Sequence, residues 1–316
     1  LRAMTAMAIA RFGGPEQMIL HDLPDPEVGP DSVLIAARAA GVNPVDFKIR
    51  AGNLEGAFPH HFPLILGWDV AGVVEAVGPA VGGFAVGDEV YAYARKTEVA
   101  QGTYAERIAV PEAFVAHKPR ELSWVEAGAL PLAGLTARQA LVDSMRLSAG
   151  ETVLVTAAGG GVGHLAVQLA RSLGAEVIGT ASAANHEYVR SLGAAAVIDY
   201  AERDVAAAVR ERCPDGVDAA FDFECEDTLD AAGAAVRAGG QLTSIADPDP
   251  AKGADVHGHY VFVRPDALGL QDLAWRADAG ELRPEIAETF PLERAAEAHE
   301  RLEGGHVRGK LVLEIG

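Results

Sequence analysis

A short run of small residues between an apolar segment and an amphipathic segment carries the clearest chemical signal in the chain. Thr152 to Thr156 is β-branched and apolar and predicts a buried strand, and Gly161 to Leu173 places apolar residues at helical spacing. The connection between them, Ala158 to Gly163, has the sequence AGGGVG. A strand, a glycine-rich turn and a helix N-terminus in this order form the phosphate-binding fingerprint of dinucleotide-binding proteins. We therefore predict a dinucleotide site at this turn.

Each position of the turn has a physical role in this interpretation. Ala158 stands where the first glycine of the fingerprint is usual, and Gly160 would let the backbone approach the pyrophosphate. Gly163 would allow close packing of the helix on the strand, and Gly161 and Val162 lie with it at the helix N-terminus. Free N–H groups and the positive end of the helix dipole favour a bound anion there.

The end of the next predicted strand indicates which dinucleotide is bound. Glu176 to Thr180 is followed by Ala181 and Ser182, and no Asp or Glu stands at this point to accept a hydrogen bond from the ribose 2′-hydroxyl of NAD. Ser182 and His186 can instead donate to a 2′-phosphate. The sequence therefore favours NADPH.

The pattern of elements changes near Ser123. Short β-branched segments such as Val33 to Ala39 and Val70 to Val77, separated by Gly, Pro and Asp, predict a small barrel or sandwich in the first third. Beyond it, strands alternate with helices and predict a parallel, doubly wound α/β sheet. We predict helices over Trp124 to Leu130 and Thr136 to Met145, a loop over Asp247 to His259, and a further strand over Val261 to Val263.

Composition excludes several classes of function. The 316 residues carry a net charge of −19, which argues against binding nucleic acid or an anionic membrane surface. No apolar run approaches the roughly 20 residues that span a bilayer, and Leu1 to Ala10 lacks the layout of a signal peptide. Two cysteines, Cys213 and Cys225, are too few for a disulfide scaffold and are expected to be reduced thiols. We predict a cytoplasmic protein.

Ordered motifs along nearly the whole chain resemble one family. The chain is similar to zinc-independent medium-chain dehydrogenases/reductases of the quinone oxidoreductase (zeta-crystallin-like) group. The motifs that carry the resemblance are Ala40 to Asp46 (AGVNPVD), Gly67 to Val74 (GWDVAGVV), Gly87 to Val90 (GDEV), Gly102 to Glu106 (GTYAE), Leu135 to Ala137 (LTA), the glycine turn, and Gly309 to Leu313 (GKLVL).

The resemblance implies an α/β protein with a GroES-like β-barrel domain and a Rossmann domain. The barrel would comprise residues 1–122 and 264–316, and the Rossmann domain residues 123–263. Homodimers joined through the Rossmann sheet edge near Val261 to Val263 are implied as well.

The resemblance also implies a set of cofactor contacts. Asn43 and Thr136 would lie near the nicotinamide. The pyrophosphate would bind at Gly160 to Gly163, and Thr180, Ser182, His186 and Tyr200 would lie around the adenosine end. The nicotinamide side would be lined by Ala246, Phe262 and Val263.

The resemblance bears on metal chemistry too. Zinc-dependent relatives carry Cys where Asn43 stands and a His–Glu pair where Trp68 and Asp69 stand, so no metal site is expected. Oxidation of an unactivated alcohol needs a Lewis acid to stabilise the alkoxide. Without zinc, the substrate must already be electrophilic, as a quinone, an enone or an enoyl compound is.

The residue that supplies a proton is left open by the sequence. Asn43 and Asp46 are the catalytic candidates, although Asp46 is more readily interpreted as an acceptor that braces its loop. Lys48 and Arg50 are expected to be solvated charges. Trp68 and Phe58 could line the site of a flat acceptor or belong to the core.

Three functions remain at this point. The favoured one is an NADPH-dependent reductase of quinones or other conjugated carbonyl compounds. An enoyl reductase of polyketide or fatty-acid metabolism is the alternative, although no tyrosine occurs in Ala51 to Leu54, where similar enoyl thioester reductases use one. A cofactor-binding protein without turnover is the alternative from another class.

Overall fold

The contacts within the chain divide it into two units. The computed structural model describes residues 3–223 and 227–316. One unit contains the residues up to Leu135 together with Arg264–Gly280 and Pro284–Gly316, and the other contains Thr136–Val263 and Glu281–Arg283. The division falls later in the chain than Ser123, where the sequence pattern changes.

The regular elements are numbered here in chain order. They are β1 (Ala3–Ile9), β2 (Ile19–Pro24), β3 (Ser32–Val42), α1 (Pro44–Arg50), β4 (Leu64–Ile65), β5 (Asp69–Val77), β6 (Glu89–Tyr93), β7 (Arg107–Pro111), β8 (Val115–His117), α2 (Trp124–Ala129), α3 (Pro131–Arg138), β9 (Thr152–Val155), α4 (Gly163–Ser172), β10 (Glu176–Thr180), α5 (His186–Ser191), β11 (Ala196–Ile198), α6 (Val205–Arg212), β12 (Val217–Asp222), α7 (Asp227–Ala235), β13 (Val236–Ser244), β14 (Val256–Tyr260), α8 (Ala267–Asp278), β15 (Ile286–Pro291), α9 (Ala295–Glu303) and β16 (Lys310–Glu314).

The first unit is built on two sheets. A seven-stranded sheet has the order β15-β16-β3-β5-β6-β8, with β7 also paired to β3, and a smaller sheet has the order β2-β1-β4. Strand β16, at the C-terminal end of the chain, pairs antiparallel with β3, with Leu311 opposite Val42. Val312 of this strand is buried in a cluster with Ala39 and Ala129. The C-terminal segment is thus part of the core of the first unit.

The second unit is the predicted doubly wound sheet. Its six strands are parallel, in the order β11-β10-β9-β12-β13-β14. The strand order reverses beside β9, and ligands of such sheets bind at the carboxyl ends of the strands next to this point. The glycine turn follows β9 directly. Together the two units confirm the predicted fold class.

The edge of this sheet differs from the prediction. The last strand is β14, Val256–Tyr260, which lies inside the segment predicted to be a loop, and Val261 to Val263 is not a strand. Residues Gly240 to Ser244 of β13 pair in parallel with β14. The strand was missed because an exposed edge strand needs no apolar pattern, and this one contains His257, Gly258 and His259.

Two smaller points concern the chain outside the sheets. The single helix predicted over Thr136 to Met145 is instead the end of α3 followed by a wider, π-helical turn at Gln139–Ser144. Cys213 is a half-buried free thiol, and Cys225 lies outside the described residues. Within residues 3–223 and 227–316, no helix is both long and apolar enough to cross a bilayer.

The burial of Val312 predicts how much β16 contributes to stability. Val312→Ala removes two methyl groups from a fully buried site and should lower the free energy of unfolding by about 2 kcal/mol. The same change at Val86, whose side chain is 66% exposed, should cost less than about 0.5 kcal/mol. Urea unfolding of both variants measures the difference, and equal losses would show that β16 is not held in the core.

Candidate active site

The glycine turn leaves β9 in a conformation that the neighbouring strand β10 holds in place. Ala157 has a φ of +39°, which is unfavourable for a residue with a Cβ atom. Its N–H donates to Thr180 Oγ1 (3.1 Å), and the N–H of Ala158 donates to the Thr180 carbonyl (2.8 Å). The side chain of Thr180, predicted to contact the cofactor, therefore positions the turn.

The turn has room for an anion at Gly160 and none for a side chain at Gly163. A Cβ on Gly163 would lie 2.3 Å from the Ala157 carbonyl oxygen, so α4 can pack on the turn only with glycine here. A Cβ on Gly160 would meet a single atom within 4 Å, the same oxygen at 3.2 Å. The N–H groups of His164, Leu165 and Ala166 already donate to the Gly160 and Val162 carbonyls, so the amides from Gly161 to Gly163 and the helix dipole are what suit a pyrophosphate. The geometry from Ala158 to Gly163 thus fits the predicted dinucleotide.

A buried histidine that the sequence analysis missed supports this turn. His164 is fully buried, and its Nδ1–H donates to the Gly160 carbonyl (2.8 Å). This bond fixes the peptide that follows Gly160. The one available signal was the position of His164, directly after the last glycine.

The residues predicted for the adenosine end make local hydrogen bonds. Ser182 Oγ accepts from Asn185 Nδ2 (3.4 Å), and His186 Nε2 donates to the Ala181 carbonyl (3.1 Å). With its Nε2–H committed to this carbonyl, a neutral His186 ring has no N–H left to donate to a phosphate. Asn185, which the sequence analysis missed, also lies 3.6 Å from the position of a Cβ on Gly159. It therefore joins the turn to this end of β10.

The remaining predicted contacts differ in exposure. Tyr200, after β11, is 51% exposed, and Thr136 is buried in α3. Ala246 is exposed after β13, while Phe262, half exposed, and Val263, half-buried, follow β14. Their contacts with a cofactor stay predictions.

In the first unit, Asn43 and Asp46 form the start of helix α1. The N–H of Asn43 donates to Asp46 Oδ2 (2.8 Å), and the N–H of Asp46 donates to the Asn43 carbonyl (2.9 Å). An acidic residue three positions after the cap satisfies a backbone donor that the helix itself leaves free. Both side chains are buried, with exposures of 1% and 0%.

The side-chain amide of Asn43 is oriented by two charged groups. Lys310, on β16, donates from Nζ to Asn43 Oδ1 and to the Val42 carbonyl (3.1 Å). Asn43 Nδ2 donates to Asp69 Oδ2 (2.8 Å), and Asp69 Oδ1 accepts from the N–H of Leu132 (2.8 Å). This role of Lys310 was not predicted, since nothing local indicates that a residue 267 positions away reaches Asn43.

Burial disfavours the charged form of each of these groups. It raises the pKa of Asp46 to about 7 and that of Asp69 to about 6, and it lowers the pKa of Lys310. Lys310 and the hydrogen bond from Asn43 oppose the rise at Asp69. The donors to Asp46 are the Asn43 backbone and a tyrosine, and nearby Asp69 adds to the rise.

That tyrosine is Tyr104, whose hydroxyl donates to Asp46 Oδ2 (2.9 Å). Its ring is fully buried and packs against Gly67, where φ is +89° and a Cβ would lie 2.3 Å from the ring. Asp46 Oδ1 is buried and has no hydrogen-bond partner among the described residues. One carboxyl group therefore combines a pKa near neutrality with a free oxygen.

Arg50 contradicts the expectation of a solvated charge. Its exposure is 2%, whereas Lys48 on the same helix is exposed as expected. The guanidinium has three acceptors: the Gly13 carbonyl (3.2 Å), His299 Nδ1 (3.0 Å) and Glu303 Oε1 (2.8 Å). Arg50 is buried because α9, from the C-terminal segment, packs over α1.

The residues at Asn43 do not fit a zinc ion. Asn43 Oδ1 already accepts from a lysine ammonium, both oxygens of Asp69 accept hydrogen bonds, and Trp68 offers no ligand atom. In the part of the chain that the structure describes, no group of three or more His, Cys, Asp or Glu side chains could hold a metal ion. Independence from zinc stays a prediction.

Comparisons with known proteins agree over the whole chain. Residues 29–120 match the alcohol dehydrogenase GroES-like domain, and residues 192–313 match the zinc-binding dehydrogenase domain. The chain is 35% identical to the chloroplastic NADPH-dependent alkenal/one oxidoreductase of Arabidopsis thaliana, over 99% of this chain and 80% of that protein. It is 34% identical to the 2-methylene-furan-3-one reductase of Solanum lycopersicum, over 98% and 79%.

A solved structure with the same fold is the quinone oxidoreductase from Coxiella burnetii. Its TM-score is 0.90 at 34% identity, and the match covers 100% of each chain.

Two substitutions of Thr180 test whether its hydroxyl group positions the glycine turn. Thr180→Val keeps the shape but leaves the N–H of Ala157 without its acceptor, so the affinity for a nicotinamide dinucleotide should fall about tenfold. Thr180→Ser keeps the hydroxyl and should bind within about twofold of the parent protein. Calorimetric titration gives both values, and equal affinities for the two variants would remove the positioning role of this hydroxyl.

Proposed function

The chain belongs to the medium-chain dehydrogenase/reductase family, in its quinone oxidoreductase group, and we propose that it uses NADPH to reduce a conjugated carbonyl acceptor without a metal ion. It is an NAD(P)H-dependent oxidoreductase of the quinone and alkenal reductase type. The further points that we propose are that NADPH is the cofactor, that the acceptor is a conjugated carbonyl compound, that Asn43 and Asp46 act on it, and that no zinc ion takes part.

The proposal rests on the surroundings of the Asp46 carboxyl group. Reduction of a quinone or an enone by hydride transfer adds one hydride and one proton to the acceptor. A proton donor works best when its pKa lies near the working pH. Asp46 has a pKa of about 7, and its Oδ1 has no competing partner among the described residues. Both properties suit a group that gives up one proton in each turnover.

NADPH would be held by the second unit. The pyrophosphate fits the amides from Gly161 to Gly163 beside the open Cα of Gly160, and Ser182 with Asn185 lies at the end of β10 where the 2′-phosphate is expected. A bound reduced nicotinamide supplies the hydride, with its electron pair, to the electrophilic carbon of the acceptor.

Asp46 supplies the proton that completes the reduction. The O–H bond at Oδ1 breaks, its electron pair stays on the carboxylate, and the proton passes to the acceptor atom on which negative charge develops. The buried carboxylate then regains one proton from the medium before the next turnover. The acceptor has gained two electrons and two hydrogens, and Asp46 returns to its starting state.

Asn43 has the second role in this proposal. One hydrogen on Nδ2 is committed to Asp69, and Lys310 prevents the amide from flipping. The other Nδ2 hydrogen remains to donate to the acceptor oxygen or to the nicotinamide carboxamide. A fixed donor of this kind stabilises developing negative charge without reorganisation.

We also propose a cytoplasmic homodimer joined through the edge strand β14. This strand is half-buried to exposed along its length, and its outer edge offers backbone donors and acceptors to a second copy.

A substrate panel tests the proposed activity. Purified protein is mixed with NADPH or NADH and with quinones, enones, enoyl thioesters and saturated alcohols, with and without a chelator. Oxidation of NADPH by quinones or enones, unchanged by the chelator, is expected. Preferred turnover of enoyl thioesters would favour an enoyl reductase, and tight NADPH binding without any turnover would favour a binding protein. Loss of activity with the chelator would contradict independence from zinc.

Asp46→Asn tests the proton donor. The amide keeps an oxygen that can accept from Asn43 and Tyr104 but has no acidic proton, so kcat should fall about 10²- to 10⁴-fold. In the parent protein, kcat should fall as the pH rises through about 7, because the protonated form is the active one. Asp31→Asn, at an exposed position, is the matched control and should leave both properties unchanged. Equal rates for Asp46→Asn and the parent protein would rule Asp46 out as the donor.

A further inference from the structure

Four buried side chains of the first unit form one continuous hydrogen-bonded chain. Arg50 Nη1 lies 3.0 Å from His299 Nδ1, His299 Nε2 lies 3.1 Å from Tyr104 Oη, and Tyr104 Oη lies 2.9 Å from Asp46 Oδ2. The exposures of the four residues are between 0% and 2%. Solvent therefore does not substitute for any of these contacts.

The chemistry of Arg50 sets the direction of every bond in this chain. A guanidinium group only donates, so His299 Nδ1 must accept, and the ring carries its single proton on Nε2. Nε2–H then donates to Tyr104 Oη, and the Tyr104 hydroxyl hydrogen is left to donate to Asp46. Burial, together with the charge of Arg50, lowers the pKa of His299 to about 3, so the ring stays neutral in this arrangement.

The direction of the chain determines which oxygen of Asp46 can carry a proton. Oδ2 accepts from both the Tyr104 hydroxyl and the Asn43 N–H. A proton on Oδ2 would face two donors and break one of the bonds. Oδ1 has no partner among the described residues and is the oxygen left to bind a proton.

Other charged and titratable groups face Asp46 from the elements packed around it. Asp69 favours the protonated form of Asp46, and the ammonium of Lys310 opposes it. Burial keeps the pKa of Tyr104 well above its ordinary value, so its hydroxyl stays protonated. Among the described residues these groups are Arg50 on α1, Asp69 on β5, Tyr93 on β6, Tyr104 before β7, His299 on α9 and Lys310 on β16.

We propose that Arg50, His299 and Tyr104 are positioning residues that hold the transferable proton of Asp46 on Oδ1. The inference rests on the proposed role of Asp46 as proton donor. The chain does not conduct protons, because it ends at Arg50, whose guanidinium group only donates hydrogen bonds. Its function is to stabilise one protonation geometry at one oxygen.

The Arg50 end is fixed from the C-terminal segment. Glu303, at the end of α9, forms an ion pair with Arg50 (2.8 Å), and its side chain is 35% exposed. Both His299 and Glu303 come from α9, one helical turn apart. The donor geometry at Asp46 is therefore incomplete without the segment that follows the second unit in sequence.

Tyr104→Phe is the first test. The variant removes a donor to the Asp46 carboxylate and so raises the pKa of Asp46. The alkaline limb of the kcat profile, which is the pH range in which kcat falls as Asp46 loses its proton, should therefore move up by about one pH unit. The value of kcat on the plateau should fall at least tenfold, because the proton is no longer confined to Oδ1, while KM changes less than about twofold. Tyr91→Phe is the matched control, since Tyr91 is equally buried and donates to the Leu270 carbonyl. It should lower stability without moving the limb.

His299→Gln distinguishes positioning from packing. The glutamine carbonyl can accept from Arg50 and its amide can donate to Tyr104, so the direction of the chain is kept. The alkaline limb should stay within about 0.3 pH units of the parent value, whereas His299→Leu, which removes the donor to Tyr104 and the acceptor for Arg50, should move it up in the same direction as Tyr104→Phe but by less. A limb that is unmoved in Tyr104→Phe, or moved equally in His299→Gln and His299→Leu, would overturn the proposal.

A measurement without substrate separates this inference from the proposed function. Nitrogen-15 NMR of histidine-labelled protein, with His299→Gln for assignment, should show His299 as the neutral Nε2–H tautomer at pH 7. The Nδ1–H tautomer or an imidazolium would overturn the proposal even in an active reductase. The expected tautomer in a protein without reductase activity would preserve the hydrogen-bond direction and reject the function alone.

Discussion

The first unit buries the ammonium group of Lys310 beside Asp69 and Asp46, and much of its construction compensates that charge. An ion removed from water costs several kcal/mol unless charge and hydrogen bonds replace the water. Here the compensation comes from the carbonyl of Val42, the amide oxygen of Asn43 and the two carboxyl groups beyond it. All of them depend on the antiparallel pairing of β16 with β3, which brings the last strand of the chain to the first turn of α1.

The same burial gives Asp46 its chemical character. Asp69 has a cation near it and donors on both oxygens, whereas Asp46 has donors on one oxygen only. The two carboxyl groups thus differ in their surroundings: Asp69 orients the amide of Asn43, and Asp46 keeps one oxygen without a hydrogen-bond partner among the described residues, which is the oxygen of the proposed proton transfer.

The sequence was sufficient to predict the features that depend on local pattern. Alternating apolar segments predicted the parallel sheet, and the position of AGGGVG between a strand and a helix predicted the turn at Gly160. The edge strand β14 was missed because its histidines and glycine carry no apolar signal, and Val261 to Val263 was wrongly preferred because it does.

Long-range contacts account for the rest. From the sequence, Arg50 is expected to be a solvated charge on a helix. Only the packing of α9 over α1 buries it. The roles of Lys310 and His299 likewise depend on residues far away in sequence, to which neither composition nor spacing points. The orientation of the Thr180 hydroxyl toward Ala157 is a property of the adjacent strands β9 and β10, which the fingerprint alone does not contain.

The account depends most directly on the protonation of Asp46. Carbon-13 NMR of protein labelled on the aspartate carboxyl carbons, with Asp46→Asn for assignment, would follow this one group through a pH titration. The account predicts an inflection near pH 7, where half of the Asp46 carboxyl groups carry a proton. An inflection at the ordinary value for aspartate, near pH 4, would mean that Asp46 is ionised at neutral pH and would contradict its role as the proton donor.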